Sequence, residues 1–147
     1  MKPLLFSIIL ALSAFSGFAQ QIELENKRFS PSWFSDLEKA KASPDKVIYL
    51  DLSLQKLKSF PKEIFTFKNL KELYLSYNYW VEIPAGFGAL TQLEMLDLSG
   101  NYYLNKLPSD IGNLKTLKEL DVKDNKLNKG EVEKARAALP HAKVLDK

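Results

Sequence analysis

Leu70-Lys71-Glu72-Leu73-Tyr74-Leu75-Ser76-Tyr77-Asn78 reads Leu-x-x-Leu-x-Leu-x-x-Asn. The pattern returns at Leu93–Asn101 (LEMLDLSGN) and Leu117–Asn125 (LKELDVKDN), and a worn copy stands at Val47–Gln55 (VIYLDLSLQ). The copies begin at residues 47, 70, 93 and 117, so they are spaced by 23, 23 and 24 residues. Self-similarity at this period marks a solenoid: a single unit cannot bury its apolar face, and stacked units bury a continuous core.

Each unit predicts the same parts. A short strand (Leu50-Asp51-Leu52, Leu73-Tyr74-Leu75, Leu96-Asp97-Leu98, Leu120-Asp121-Val122) points its aliphatic residues inward and its middle residue outward. Asn78, Asn101 and Asn125 follow, with Gln55 in the first copy. A side-chain amide there can satisfy backbone groups left unpaired as the chain turns off the strand. The turn closes on Phe60-Pro61, Ile83-Pro84 or Leu107-Pro108. Proline fixes φ and lacks a donor, which suits the start of a short helical return. Ile64 with Phe67, Phe87 with Leu90 and Ile111 with Leu114 then face the core. Trp80 stands where Leu57 and Leu127 stand in other units and is expected in the core. The third unit carries one extra residue within Tyr102-Tyr103-Leu104-Asn105, and either Tyr103 or Leu104 takes its inward place.

The ends differ. Gln20–Ser30 is polar and reads as a loose tail. Ser35-x-x-Glu38 reads as a capping box opening a short helix from about Asp36 to Ala42, ended by Ser43-Pro44, with Phe34, Leu37 and Ala40 on its apolar face. This segment, residues 20–46, would cover the open end of the first repeat. The four repeats fill residues 47–140. The last lacks the proline and runs through Gly130 into a helix over Glu131–Leu139. A closing strand, about Ala142–Asp146 within residues 141–147, would pair with the last free edge.

Residues 1–19 are a separate matter. Met1-Lys2 precedes an apolar run, Leu4–Phe18, and Gly17-Phe18-Ala19 puts small residues at the places a signal peptidase requires. The segment reads as a secretory signal peptide cleaved before Gln20. The 147-residue chain carries 21 Lys and Arg against 18 Asp and Glu. Removing residues 1–19 takes away Lys2 and no acid, which leaves 20 against 18, or +2. That balance gives no reason to expect nucleic acid or an anionic membrane as partner. Cysteine is absent. Disulfides, thiolate catalysis, cysteine metal sites and a lipid-bearing cysteine at the cleavage point are therefore excluded. With no later apolar run long enough to span a membrane, the expected location is secreted or periplasmic.

The repeats resemble the leucine-rich repeat family. The resemblance covers about Val47–Asn125, and Leu107–Leu117 (Leu-Pro-x-x-Ile-Gly-x-Leu-x-x-Leu) looks most like the short "LP" class of bacterial and plant-type repeats. It implies an α/β solenoid: a right-handed curved coil with a parallel concave sheet, short helical or 3₁₀ segments on the convex side, helical caps at both ends, and a role in protein recognition.

No enzyme constellation accompanies these repeats. His141 is the only histidine and falls in a terminal loop. Ser53, Ser76 and Ser99 form a column with no base beside it, and Gly86-Phe87-Gly88 opens like a phosphate loop but continues Ala89-Leu90-Thr91. Asp97 and Asp121 would be neighbours, but two carboxylates without a Gly-rich loop fall short of the roughly six or more oxygens that calcium takes. No catalytic residue, metal or cofactor is assigned.

What remains is a surface. Its outward columns are Tyr49, Glu72, Met95, Glu119, and Asp51, Tyr74, Asp97, Asp121, and Leu54, Tyr77, Gly100, Asp124. We assign partner binding to Tyr49, Asp51, Glu72, Tyr74, Tyr77, Asp97, Glu119 and Asp121, with Tyr79 and Tyr102 at the rim. Tyrosine supplies area and a polar tip at little rotamer cost. The same rings could simply stack on their strand neighbours, and Asp51 and Asp97 could reflect the repeat pattern alone. The expected function is a monomeric, exported, non-catalytic module binding a protein, preferentially a basic one given the acidic columns. The alternative is a carbohydrate- or cell-wall-binding module using the same aromatic-acidic surface.

Overall fold

The computed structural model describes residues 16–147; the signal-peptide reading falls on residues 1–19, of which 1–15 lie outside the described part. The described chain runs α1 (Ser16–Arg28), β1 (Trp33–Phe34), α2 (Leu37–Lys41), β2 (Tyr49–Asp51), β3 (Glu72–Tyr74), β4 (Met95–Asp97), β5 (Glu119–Asp121), α3 (Lys129–Ala138) and β6 (Lys143–Leu145). Short 3₁₀ turns occupy Pro44–Lys46, Lys62–Thr66, Phe87–Ala89 and Ile111–Asn113.

All six strands pair in parallel and in chain order. The repeat spacing is also the sheet register: Leu50, Leu73, Leu96 and Leu120 face one another across successive strands. Each is fully buried, as are Leu52, Leu75 and Leu98 one step further on. Burying such a side chain contributes about 1.5–3 kcal/mol, so the fold's stability rests on this stack and on the opposite wall. Ile64, Phe67, Phe87, Leu90, Ile111 and Leu114 form that wall, as their spacing predicts. Phe60, Phe65, Phe87 and Trp80 join it in an aromatic cluster with ring centroids 5.3–5.8 Å apart. Leu104 takes the inward place in the third repeat, and Tyr103 is left 56% exposed.

The asparagine ladder forms where expected. Asn78 Nδ2 donates to Leu52 O and Leu75 O, and Asn101 Nδ2 donates to Leu98 O and Leu75 O. The Oδ1 of Asn101 accepts from Asn78 N at 2.9 Å, which ties one repeat to the next. Gln55 does not join this ladder: it is exposed and donates to Ser35 O at 3.1 Å.

Three expectations for the N-terminal end need correction. Gln20–Ser30 is not a loose tail, since Ser16–Arg28 is α-helical. Its polar sequence gives little helix signal of its own, and a helix this short is marginal in isolation; contacts with the sheet hold it. The cap of α2 is Asp36 rather than Ser35, with Asp36 Oδ1 accepting from Glu38 N and Lys39 N, while the Glu38 carboxylate meets Lys41. A carboxylate at a helix N-terminus also favours the helix dipole, which a hydroxyl does not. Phe34 lies in strand β1 rather than on the helix, so an unforeseen strand covers the edge of β2. Ala40, fully buried, still performs the capping role expected of α2. At the other end α3 and β6 close the solenoid as predicted, with Asn128 Oδ1 capping α3 through Glu131 N.

Candidate interaction face

The strand register sets the residues of the concave face side by side. One row runs Tyr49, Glu72, Met95, Glu119, Lys143, and the next runs Asp51, Tyr74, Asp97, Asp121, Leu145. The first four positions of each row follow from the repeat spacing and Lys143 and Leu145 are added by β6, but the neighbours of these residues do not follow from it, and the face divides into two unlike halves.

The N-terminal half is engaged from within. Trp33 on β1 stacks on Tyr49 at 5.9 Å and lies tilted against Tyr74 at 5.6 Å. Tyr74 donates its hydroxyl to Glu72 Oε2 at 2.7 Å, and Glu72 Oε1 accepts from Lys27 Nζ of α1, also at 2.7 Å. Burial pushes the Tyr74 phenol well above its ordinary value, and the hydrogen bond to Glu72 and the charges of Asp51 and Asp97 push it further. Burial pulls against the charged form of Lys27, but the bonds and charges of Glu72 and Glu23 outweigh it and hold the ammonium above its usual range. Arg28 approaches Asp51 at 3.8 Å and lies over the Trp33 ring at 5.7 Å, while Lys27 lies 5.8 Å from the centre of the Tyr49 ring. Tyr49, Asp51, Glu72 and Tyr74 are thus brought together as assigned, but by the chain's own α1 and Trp33 rather than as an open surface.

In the C-terminal half Asp97, Glu119 and Asp121 are half-buried. Asp97 and Asp121 each use one oxygen on a local turn, accepting from Ser99 N and Lys123 N. The second oxygen of Asp121 meets Lys123 Nζ at 3.1 Å, and this bond and charge hold the Lys123 ammonium above its ordinary value. Glu119 meets Lys143 at 3.9 Å. Among the described residues no group of three or more acidic or histidine side chains is placed to hold a metal ion.

Along the edge where the strands turn, four tyrosine rings stand in two edge-to-face pairs. Tyr77 meets Tyr102 at 6.5 Å and Tyr79 meets Tyr103 at 6.4 Å. All four are between 44% and 60% exposed. Tyr77 belongs to a column, Leu54, Tyr77, Gly100, Asp124, in which every residue has positive φ, from 55° to 66°. The repeat demands a left-handed residue at this position, and a side chain there costs about 1–2 kcal/mol unless it is glycine or a short polar group. Tyr77 bears that cost while leaving its ring in solvent.

Sequence reasoning missed Trp33, Lys27, Arg28 and Tyr103. Trp33-Phe34 could have been aligned with Tyr49-Leu50 as a fifth outward-inward pair. Nothing in α1 signals where it docks. The Gly86-Phe87-Gly88 turn is occupied from within, since the amides of Gly86 and Gly88 both donate to Asp110 Oδ2, at 2.9 and 3.1 Å. His141 is exposed, its Nε2 3.1 Å from Leu114 O.

Comparison with known proteins agrees with this architecture. The family model described as "Leucine rich repeat" matches residues 46–102, and a second model of the same description matches 92–114. The chain is 41% identical over 66 residues to Receptor-like protein 39 of Arabidopsis thaliana, covering 44% of this chain and 8% of that protein. It is 38% identical over 77 residues to an adenylate cyclase of Schizosaccharomyces pombe, covering 52% of this chain and 5% of that protein. The chain thus spans less than a tenth of the length of either relative. Among solved structures, an LRR protein of Leptospira interrogans superposes with a TM-score of 0.52 at 28% identity, covering 71% of this chain and 33% of that one.

Proposed function

We propose that these leucine-rich repeats, a fold that is generally a non-catalytic scaffold for protein interaction, make the chain an exported, non-catalytic module that grips a protein partner with its concave face. The contacts are Tyr77, Asp97, Glu119 and Asp121, with Tyr79 and Tyr102 at the rim. The observation that carries this reading is the row of four half-exposed tyrosines beside the paired positions of Asp97 and Asp121. Rings of this kind are the usual anchors of binding hot spots, and flanking carboxylates favour a basic partner and raise its rate of encounter. Among the described residues no helix is long and apolar enough to cross a membrane, and the export reading rests on Met1–Ala19. Its check is mass spectrometry of the exported protein, with Gln20 as the expected first residue.

The test of the binding reading is capture of partners from cell-envelope extract by the native chain, by Tyr77→Ala/Tyr102→Ala and by Asp97→Asn/Asp121→Asn. Both variants should lose most of the captured protein. Recovery equal to that of the native chain would overturn the assignment. The exposure of the Tyr79–Tyr103 pair also suits stacking against a sugar ring. A glycan array probed with the native chain and with Tyr79→Ala/Tyr103→Ala separates this second reading, since only a sugar-binding surface gives signals that depend on that pair.

A further inference from the structure

The N-terminal half of the concave face already shows what kind of ligand it accepts. Of Gln20–Arg28, only Ile22, Leu24 and Lys27 are partly buried, and the rest is exposed. Leu24, Lys27 and Arg28 share one helical face, three and four residues apart. That face meets an acceptor built from Glu72, Asp51, Tyr49, Tyr74 and Trp33. Lys27 and Arg28 are the cations that reach Glu72 and Asp51. The grip is shallow. Cavities of about 560 and 450 Å³ lie along α1, one between Leu24, Lys27, Glu72, Met95 and Glu119, the other between Leu24, Arg28, Trp33, Asp51 and Asp97.

We infer that this half of the face is a receptor for a basic amphipathic helix of a partner protein, carrying an apolar residue followed three and four positions later by Lys or Arg, and that α1 holds the place in the free molecule. The inference rests on the concave-face reading above and extends it to the partner's chemistry. Four residues, Phe29–Ser32, tether α1 to β1. A tether that short gives a docked segment an effective concentration of roughly millimolar, so the partner's helix must fit better than α1 does. The two flanking cavities offer it the room. Cleavage before Gln20 would keep Leu24, Lys27 and Arg28, so the placeholder survives export.

The experiment uses the full chain and a fluorescent peptide copying Gln20–Arg28. Hydrogen exchange on the native chain should show Gln20–Arg28 protected, and excess peptide should speed that exchange by competition. In Lys27→Glu/Arg28→Glu the helix should exchange freely, and the peptide should bind at least about tenfold tighter than to the native chain. Adding Asp51→Lys/Glu72→Lys should abolish binding. Continued protection of α1 in the first variant, or no peptide binding once α1 exchanges freely, overturns the inference. Should the charge variant fail to fold, the competition measurement on the native chain decides alone: unchanged exchange of α1 under excess peptide overturns it. Partner capture that depends on Tyr102 and Asp121, which line neither cavity beside α1, is unaffected by either result, so this inference can fail while the binding reading stands.

Discussion

The ring of Tyr77 rests on Gly100: a Cβ added to Gly100 would stand 2.6 Å from both Cδ1 and Cε1 of that ring. Both residues occupy the left-handed position of their repeats, one with φ 55° and the other 66°. The exposed aromatic edge therefore depends on a glycine one repeat away. Gly100→Ala should strain its own backbone and push Tyr77 off Tyr102, lowering stability by about 2–3 kcal/mol. Denaturant unfolding measures the loss, and tyrosine fluorescence should report the displaced ring.

Leu54 occupies the same position in the first repeat, with φ 62° and 71% of its surface exposed. It contributes little packing and bears the full strain. Leu54→Asn should raise stability by about 0.5 kcal/mol or more, because asparagine tolerates the left-handed region. A lower unfolding midpoint would contradict the strain argument.

Tyr74 titrates with a defined sign. Its folded-state pKa is raised, so the associated stability is complete below the ordinary value of 10.0 and is lost as pH rises above it. The unfolded phenol ionises there and the folded one stays protonated. The loss should approach at most about 1.4 kcal/mol per pH unit, reduced by solvent reaching the ring. Tyr74→Phe should remove that component of the alkaline slope. In a phenolate absorbance titration, one of the six tyrosines should ionise only when the protein unfolds, and that late step should vanish in the variant.

The ladder predicts a contrast between two residues of one column. Asn101 is fully buried and serves Asn78 N, Leu98 O and Leu75 O. Asn101→Ala strands the buried Asn78 N, while Leu75 O keeps Asn78 Nδ2 and Leu98 O keeps Asn125 Nδ2, and should cost about 1–3 kcal/mol. Gln55→Ala, at an exposed position, should cost less than about 0.5 kcal/mol. Urea midpoints of the two variants test the difference.

Much of this molecule was legible in one pattern. The recurrence of Leu73, Leu96 and Leu120 carries the core, the register and the parallel sheet, because the period of the repeat is the period of the stack. The Asn positions and the inward Ile64, Phe87 and Ile111 follow from the same alignment. The capping of α2 by Asp36 instead of Ser35 was not legible, since two adjacent residues could both cap and the choice depends on where the chain leaves β1. Tyr103 was not singled out because the extra residue in its repeat left two candidates for one inward place, and packing chose Leu104.

The chain by itself determined which residues face outward on the concave sheet, because strand alternation and a constant period leave no freedom there. It did not determine which of them are open. That depended on α1, a polar helix whose ion pairs with the sheet reach distant residues: Lys27 to Glu72, 45 positions away, and Arg28 to Asp51. Contacts of that separation leave no periodic trace in the sequence, and charge complementarity between a short helix and a sheet arises only once the solenoid has brought Asp51 and Glu72 onto one face. The repeat made the surface, and the tertiary structure divided it into an acidic-aromatic half held by α1 and a remainder edged by Tyr77 and Tyr102.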